Sequence, residues 1–286
     1  MPEIRVRDIT MYYEERGRGR PLLLLHGLGS SVRDWELQMP VFSRQYRVIA
    51  VDMRGHGRSA KPKGPYSLPM FAADTAEFIR RLALAPVHVV GISMGGMIAL
   101  QLAVDAPELL KSMALVNCGP ELVPRTFKEK LQVQQRMLIT RIMGMRRMGE
   151  FLAPRLFPKP DQATLRQLIA ERWAKNDRRA YLASLRALVG WSVAAQLSQI
   201  ACPTLVVAAE EDYTPITVKE AYAAEMPNAR LHVIEDSRHA TPIDQPEQFN
   251  QVVLAFLAQV DGSPQPERLP SAAKAGILSR DSGSVM

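Results

Sequence analysis

Cysteine is scarce in this chain, and the scarcity removes several kinds of chemistry at the outset. Only Cys118 and Cys202 occur, too far apart to build a cysteine-based zinc site. Neither stands in a nucleophile context, so each reads as a small buried hydrophobe beside a strand. Long apolar runs are also missing. Nothing approaches the roughly 20 residues a membrane-spanning helix needs, and the leucine burst at 22–25 is strand-sized. The amino terminus, Met1-Pro-Glu-Ile-Arg-Val-Arg-Asp, carries charge where a secretory signal would place its apolar segment. A soluble, cytoplasmic protein is therefore expected. Aromatic residues make up only 6% of the chain, too few for the base-stacking surfaces of single-strand nucleic-acid binders.

What is present begins with charge. The net charge is +7, yet residues 120–195 alone hold 15 Lys+Arg against 6 Asp+Glu. That local excess exceeds the total, so the rest of the chain is near neutral. No nucleic-acid motif accompanies it, and no nucleic-acid partner is expected.

Outside that segment, short apolar bursts alternate with helical patterns. Residues 4–6 and 11–14 read as an opening pair of strands. Residues 21–26, 47–52, 87–92 and 112–117 follow as runs buried on both faces. Between them lie helices at 67–84, with Ser67 as N-cap, and at 94–105. From residue 120 to 195 the pattern is helical and rich in Arg, Leu, Met and Gln, broken by Pro154, Pro158 and Pro160. Strands resume at 203–208 and 230–235, before a last helix at 245–259. The expectation is an α/β protein, with residues 1–119 and 196–260 as one core. Residues 120–195 form a helical cap inserted between the sixth and seventh strands. Residues 261–286, rich in Ser, Pro, Gly and Ala, read as a disordered tail.

Gly91-Ile-Ser-Met-Gly95 is a G-x-S-x-G pattern, which arises by chance in roughly one chain in ten at ordinary Gly and Ser frequencies. Context makes it more informative. A strand runs straight into Ser93 and a helix starts just after it, so the strained turn needs neighbours without side chains. The turn also aims the hydroxyl out of the sheet at a helix amino terminus, which favours developing negative charge. A second loop, His26-Gly-Leu-Gly-Ser-Ser31, follows the leucine strand. There the backbone N–H of Leu28 can converge with that of Met94 on a carbonyl oxygen, giving a two-donor oxyanion hole. His26 sits too early in the loop for a base and is expected to pin it.

HGLGSS at 26–31, DMRGHGRS at 52–59 and GISMGG at 91–96, in that order, resemble the α/β-hydrolase family. Its esterase, enol-lactonase and cofactor-free haloperoxidase branch is the nearest likeness. The resemblance covers residues 1 to about 260 and implies a mostly parallel eight-stranded sheet flanked by helices, with the triad in the order Ser, acid, His. Ser93 sets the chain apart from the epoxide hydrolases and haloalkane dehalogenases, which carry an Asp nucleophile on the same fold. The segment from Ala209 to Pro215 resembles the family's acid loop, with Asp212 at the acid position, Glu211 as its rival and Ala209 where Gly is usual. Among the five histidines, His88 and His232 read as packed or edge residues and His56 as a loop brace. His239 stands in a stretch resembling the family's base loop, with Arg238 and Asp244 replacing the usual Gly and Glu.

These readings converge on a carboxylic-ester hydrolase, an esterase or lactonase, with Ser93 as nucleophile, His239 as base and Asp212 orienting it. It requires no organic cofactor and no metal, and its partner is a small ester or lactone. A perhydrolase or haloperoxidase, a C–C bond hydrolase, or a ligand receptor retaining the triad remain alternatives, and the oligomeric state stays open. The cap would sit over Ser93. Met137, Leu138, Ile139, Ile142, Met143, Met145 and Met148 are expected to form its core and its contact with the main domain. Its cations read as a solvated face first, an anionic-substrate site second and a membrane patch last. With Arg238 beside the base, a positive site mouth favouring carboxylate-bearing substrates is expected.

Overall fold

The computed structural model describes residues 2–263. The chain runs β1 (Glu3–Val6), β2 (Ile9–Arg16), β3 (Arg20–Leu25), α1 (Met39–Phe42), β4 (Tyr46–Val51), α2 (Leu68–Arg81), β5 (Val87–Ile92), α3 (Met94–Asp105) and β6 (Leu110–Val116). Then come α4 (Phe127–Leu156), α5 (Ala163–Ala174) and α6 (Arg178–Leu188) without an intervening strand. β7 (Thr204–Ala209), α7 (Ile216–Ala224), β8 (Ala229–Ile234), α8 (Thr241–Asp244) and α9 (Pro246–Asp261) complete it. No helix among the described residues is long and apolar enough to cross a membrane.

One eight-stranded sheet orders the strands β1-β2-β4-β3-β5-β6-β7-β8. The first hairpin and the β2–β4 pair are antiparallel, and every later pair is parallel. Period-two alternation then explains why the central strands read as unbroken apolar runs. Leu22 and Leu24 of β3, with Val90 and Ile92 of β5, face a layer built by Trp35, Phe249 and Leu257. Leu23, Leu25, Val87 and Val89 face α2 and α3 on the other side. Chain order reverses at β3, since β4 lies on one side of it and β5 on the other. Sites in open parallel sheets form at such a switch, outside the strand carboxyl ends. The loop after β3 and the turn after β5 meet there.

The α4–α6 segment is tied at its base, where Leu122 N–H donates to Trp191 O (2.9 Å) and Val193 N–H to Pro120 O (2.8 Å). α4 breaks at Gly144, whose φ of 79° and ψ of −179° are not helical. Of the methionine-rich residues expected to pack inward, Met145 and Met148 are buried and Met137 and Ile139 partly so. Leu138, Ile142 and Met143 are instead 57%, 70% and 56% exposed. The expectation fails for Leu138 and Ile142 because α4 turns that side to solvent, and for Met143 where the helix breaks at Gly144.

The last helix also corrects a boundary. Composition put Asp261 at the head of the tail, but it ends α9 with a side chain only 3% exposed. Its carboxylate receives Lys111 Nζ at 2.5 Å and Tyr46 Oη at 3.2 Å, pairs with Arg20, and lies 3.3 Å from His88 Nε2. The disorder expected for the tail falls, from residue 264 onward, outside the described residues.

Candidate active site

Ser93 links β5 to α3 at φ 53°, ψ −116°, a backbone region that costs a non-glycine residue about 1–3 kcal/mol. The surroundings over-determine it. Ser93 N–H donates to Val116 O (2.8 Å), and Met97 N–H donates to Ser93 O (3.0 Å). A Cβ on Gly91 would stand 2.4 Å from the Gly95 backbone, and one on Gly95 would stand 2.1 Å from Leu25 O. Both glycines are therefore required by closeness of backbone, as the sequence pattern suggested. Met94 is the first residue of α3, so its N–H belongs to the helix's unbonded amino-terminal donors.

The loop after β3 carries Leu28 and is held from three sides. His26 Nδ1–H donates to Gly27 O (2.7 Å), while Nε2 accepts from Met53 N–H (3.0 Å). Burial pushes this imidazole down to about 4, so it stays neutral and keeps that tautomer. Asp34, which sequence reading passed over, accepts from Gly27 N–H (3.2 Å) and from the Ser30 hydroxyl. Burial pushes its carboxyl up to about 6, against those hydrogen bonds. From above, Asn176 Nδ2 donates to Gly29 O (2.6 Å), and Tyr181 and Trp173 press where a Cβ on Gly29 would lie.

His239 follows β8, and its Nδ1–H donates to Asp212 Oδ1 at 2.6 Å. The imidazole stacks on Tyr213 at 4.6 Å between centroids and 28° between planes. Asn117, at the end of β6, fixes both loops. Its amide donates to His239 O (3.0 Å) and Thr241 Oγ1 (2.8 Å), and its Oδ1 accepts from Ala209 N–H (2.8 Å). Glu211, the rival acid, does not face the histidine; it pairs with Arg238 at the surface.

Behind the histidine lies a residue the sequence reading missed. Lys219 of α7 is fully buried, and its Nζ donates to Asp212 Oδ2 (2.5 Å) and Thr214 O (3.0 Å). Burial alone would raise the Asp212 carboxyl. The hydrogen bond and charge of His239, joined by Lys219, outweigh it and hold the group below the usual range. Lys219→Met is expected to cost about 3–5 kcal/mol, the range for removing one partner of a buried pair. Because Asp212 titrates below its unfolded value, its contribution is fully present above a pKa of about 3.9. It is lost as pH falls through the lower folded value, so Lys219→Met should move the acid-unfolding limb to higher pH. Urea unfolding across the acid range measures both effects, and an unchanged midpoint and limb would count the pair as energetically silent.

Ser93, Leu28 and His239 line one cavity of about 690 Å³, while Asp212 stands behind the histidine. Ser93 and His239 both line this cavity, with no hydrogen bond between them among the described residues. Much of the lining is apolar, including Met97, Val133, Leu152, Trp173 and Leu188. Its charged lining does not carry the expected excess of cations. Asp34, Glu121, Glu129 and Glu225 line the cavity with one cation among the described residues, Arg136, whose Nε is bonded to Tyr181 Oη, while Glu121 pairs with Arg125 and Glu129 caps α4. Arg238 is occupied by Glu211. The positive site mouth expected from composition is not formed, because the segment's cations lie largely on outward faces.

Residues 22–252 match the family described as the alpha/beta hydrolase family. The chain belongs to it. RutD of Variovorax paradoxus, named for carbamate hydrolysis, is 31% identical over 88% of this chain and 97% of its own. The 3-oxoadipate enol-lactonase 2 of Acinetobacter baylyi is 27% identical over 89% and 95%. A thermophilic esterase from Thermogutta terrifontis superposes with a TM-score of 0.82 at 25% identity, covering 91% and 98% of the two chains. The chain is thus an enzyme of the alpha/beta hydrolase family, and its sheet and flanking helices are those of its relatives.

Proposed function

We propose that this alpha/beta hydrolase cleaves a carboxylic ester or lactone through an acyl-enzyme on Ser93. The observation that carries the reading is the strained Ser93 turn opening onto the cavity that also receives His239, whose Nδ1 lies 2.6 Å from Asp212. His239 Nε2 removes the hydroxyl proton as Ser93 Oγ attacks the carbonyl carbon. The Ser–His contact closes in the substrate complex, as catalytic hydrogen bonds commonly do. Leu28 and Met94 N–H groups hold the oxyanion. Asp212 keeps the Nδ1–H tautomer and stabilises the imidazolium, with Lys219 and Tyr213 steadying acid and ring. The imidazolium then protonates the leaving oxygen. In the second half, His239 takes a proton from water as it attacks the acyl carbon, and returns it to Ser93 Oγ as the acyl–oxygen bond breaks and the acid leaves. The test is a turnover panel of esters of rising chain length, lactones and carbamates, with Ser93→Ala as the blank. Carbamate turnover above every ester and lactone would overturn the substrate assignment while leaving Ser93 in place.

The cavity charges direct the preference within that class. A substrate carboxylate would face several acidic groups and a single engaged arginine. A neutral medium-chain ester is expected to exceed its carboxylate-bearing analogue in kcat/KM by about tenfold, ~1.4 kcal/mol. The gap should narrow with salt, since screening acts over ~8–10 Å at physiological ionic strength. Faster turnover of the charged analogue at low salt would refute this preference.

A further inference from the structure

The first segment of α4, residues 127–143, turns one face to the cavity and another to solvent. At 3.6 residues per turn, Phe127, Leu131, Leu138 and Ile142 fall within about 60° of one another on the outward face. They are 81%, 57%, 57% and 70% exposed, the most exposed apolar stripe on the described surface. Lys128 flanks the stripe on one side, and Lys130 and Arg141 on the other, all exposed and none in an ion pair among the described residues. The segment's one acid, Glu129, falls on the opposite side, where it caps the helix and lines the cavity.

We propose that this face docks on an anionic lipid surface, with the helix lying in the plane of the interface. A helix that is apolar along one stripe and basic at its edges sinks its side chains among acyl chains while its cations meet lipid phosphates and carboxylates. Charge argues against a second copy as the occupant. A two-fold pairing of this face would set Lys128, Lys130 and Arg141 against the same cations with no acid on either side. The position of the face gives docking a consequence. Leu122 and Val123, exposed just before α4, line the catalytic cavity, as do Val133 and Arg136 on the helix itself. Docking would bring the exposed rim residues Leu122 and Val123, five and four positions before Phe127, close to the bilayer, where lipophilic esters partition. Docking does not depend on the Ser93 assignment and is measured without turnover.

The experiment is co-sedimentation of the full chain with vesicles of phosphatidylcholine, alone or mixed with phosphatidylserine. At least tenfold tighter binding to the mixed vesicles is expected, with most of that gain lost at high salt. Leu138→Glu with Ile142→Glu should abolish binding while leaving turnover of a water-soluble ester unchanged, since neither residue lines the cavity. Should that pair unfold the segment, Lys130→Gln with Arg141→Gln keeps the stripe and should remove the preference for phosphatidylserine. Absence of binding to the mixed vesicles, or equal binding to both kinds, would overturn the proposal. So would a concentration-dependent dimer in sedimentation velocity that Leu138→Glu with Ile142→Glu dissolves, which would assign the face to a second copy.

Discussion

Ser93→Ala is expected to lower kcat by a factor on the order of 10⁶, the loss seen when such nucleophiles are removed. Residual turnover would come from the Leu28 and Met94 amides and from binding alone. The fold should survive, because the replacement removes one oxygen and keeps the Cβ that packs near Gly27. Alanine at φ 53° is no more relaxed than serine, so the melting temperature should stay close to that of the wild type. Ser93→Gly, equally inactive, should melt higher, because glycine occupies this region without the steric penalty. The three melting curves therefore measure how much strain the turn stores. A fluorophosphonate should label the wild type at Ser93 and leave Ser93→Ala untouched. Labelling at another serine, or appreciable turnover by the alanine variant, would end the assignment.

The sheet was legible because its strands are short and buried on both faces, so each stands out as an apolar burst between glycine- or proline-marked turns. Val87–Ile92 and Met94–Asp105 fall where the sequence placed them, and other boundaries moved by a few residues. Ser93 was legible because the turn demands glycines at fixed offsets. His239 and Asp212 were singled out through loops resembling a known family, and their 2.6 Å contact required the structure. Lys219 was missed because VKEAYAAEM reads as an ordinary charged helix. A signal was present: Lys219, Tyr222 and Ala223, three and four positions apart, form the buried stripe of α7. A lysine on that stripe needs a buried counter-charge, and Asp212 lies seven residues earlier. The expectation of a cationic site mouth failed for a related cause. Summing charge over residues 120–195 averages across faces, whereas a helix segregates them. Glu129 sits on the inner side of α4, and Lys128, Lys130 and Arg141 border the outer one. Asp261 was misassigned because tail composition begins with the residues after it, and nothing local shows that Lys111, Arg20 and Tyr46 converge on its carboxylate.

Asp212→Asn is expected to lower kcat by about 10⁴, because an amide permits the wrong imidazole tautomer and no longer stabilises the imidazolium. In this enzyme the substitution acts twice. It also strips Lys219 of its one carboxylate partner among the described residues, leaving there a fully buried ammonium bonded to Thr214 O. A stability loss of about 3–5 kcal/mol should accompany the kinetic defect, since one member of a buried pair is left without its counter-charge. The two effects separate in the double variant Asp212→Asn with Lys219→Met. Removing the orphaned charge should restore most of the stability, and kcat should stay about 10⁴ down because the tautomer remains wrong. Glu211→Gln is the control. It disrupts a half-exposed pair with Arg238, which is worth at most about 1 kcal/mol, and should leave kcat within a few-fold of wild type. Reversed kinetic effects for the Asp212 and Glu211 variants would make Glu211 the acid. Asp212 would then be reduced to a counter-ion for Lys219. A double variant that recovers stability together with turnover would show that the single variant was inactive only because it unfolds.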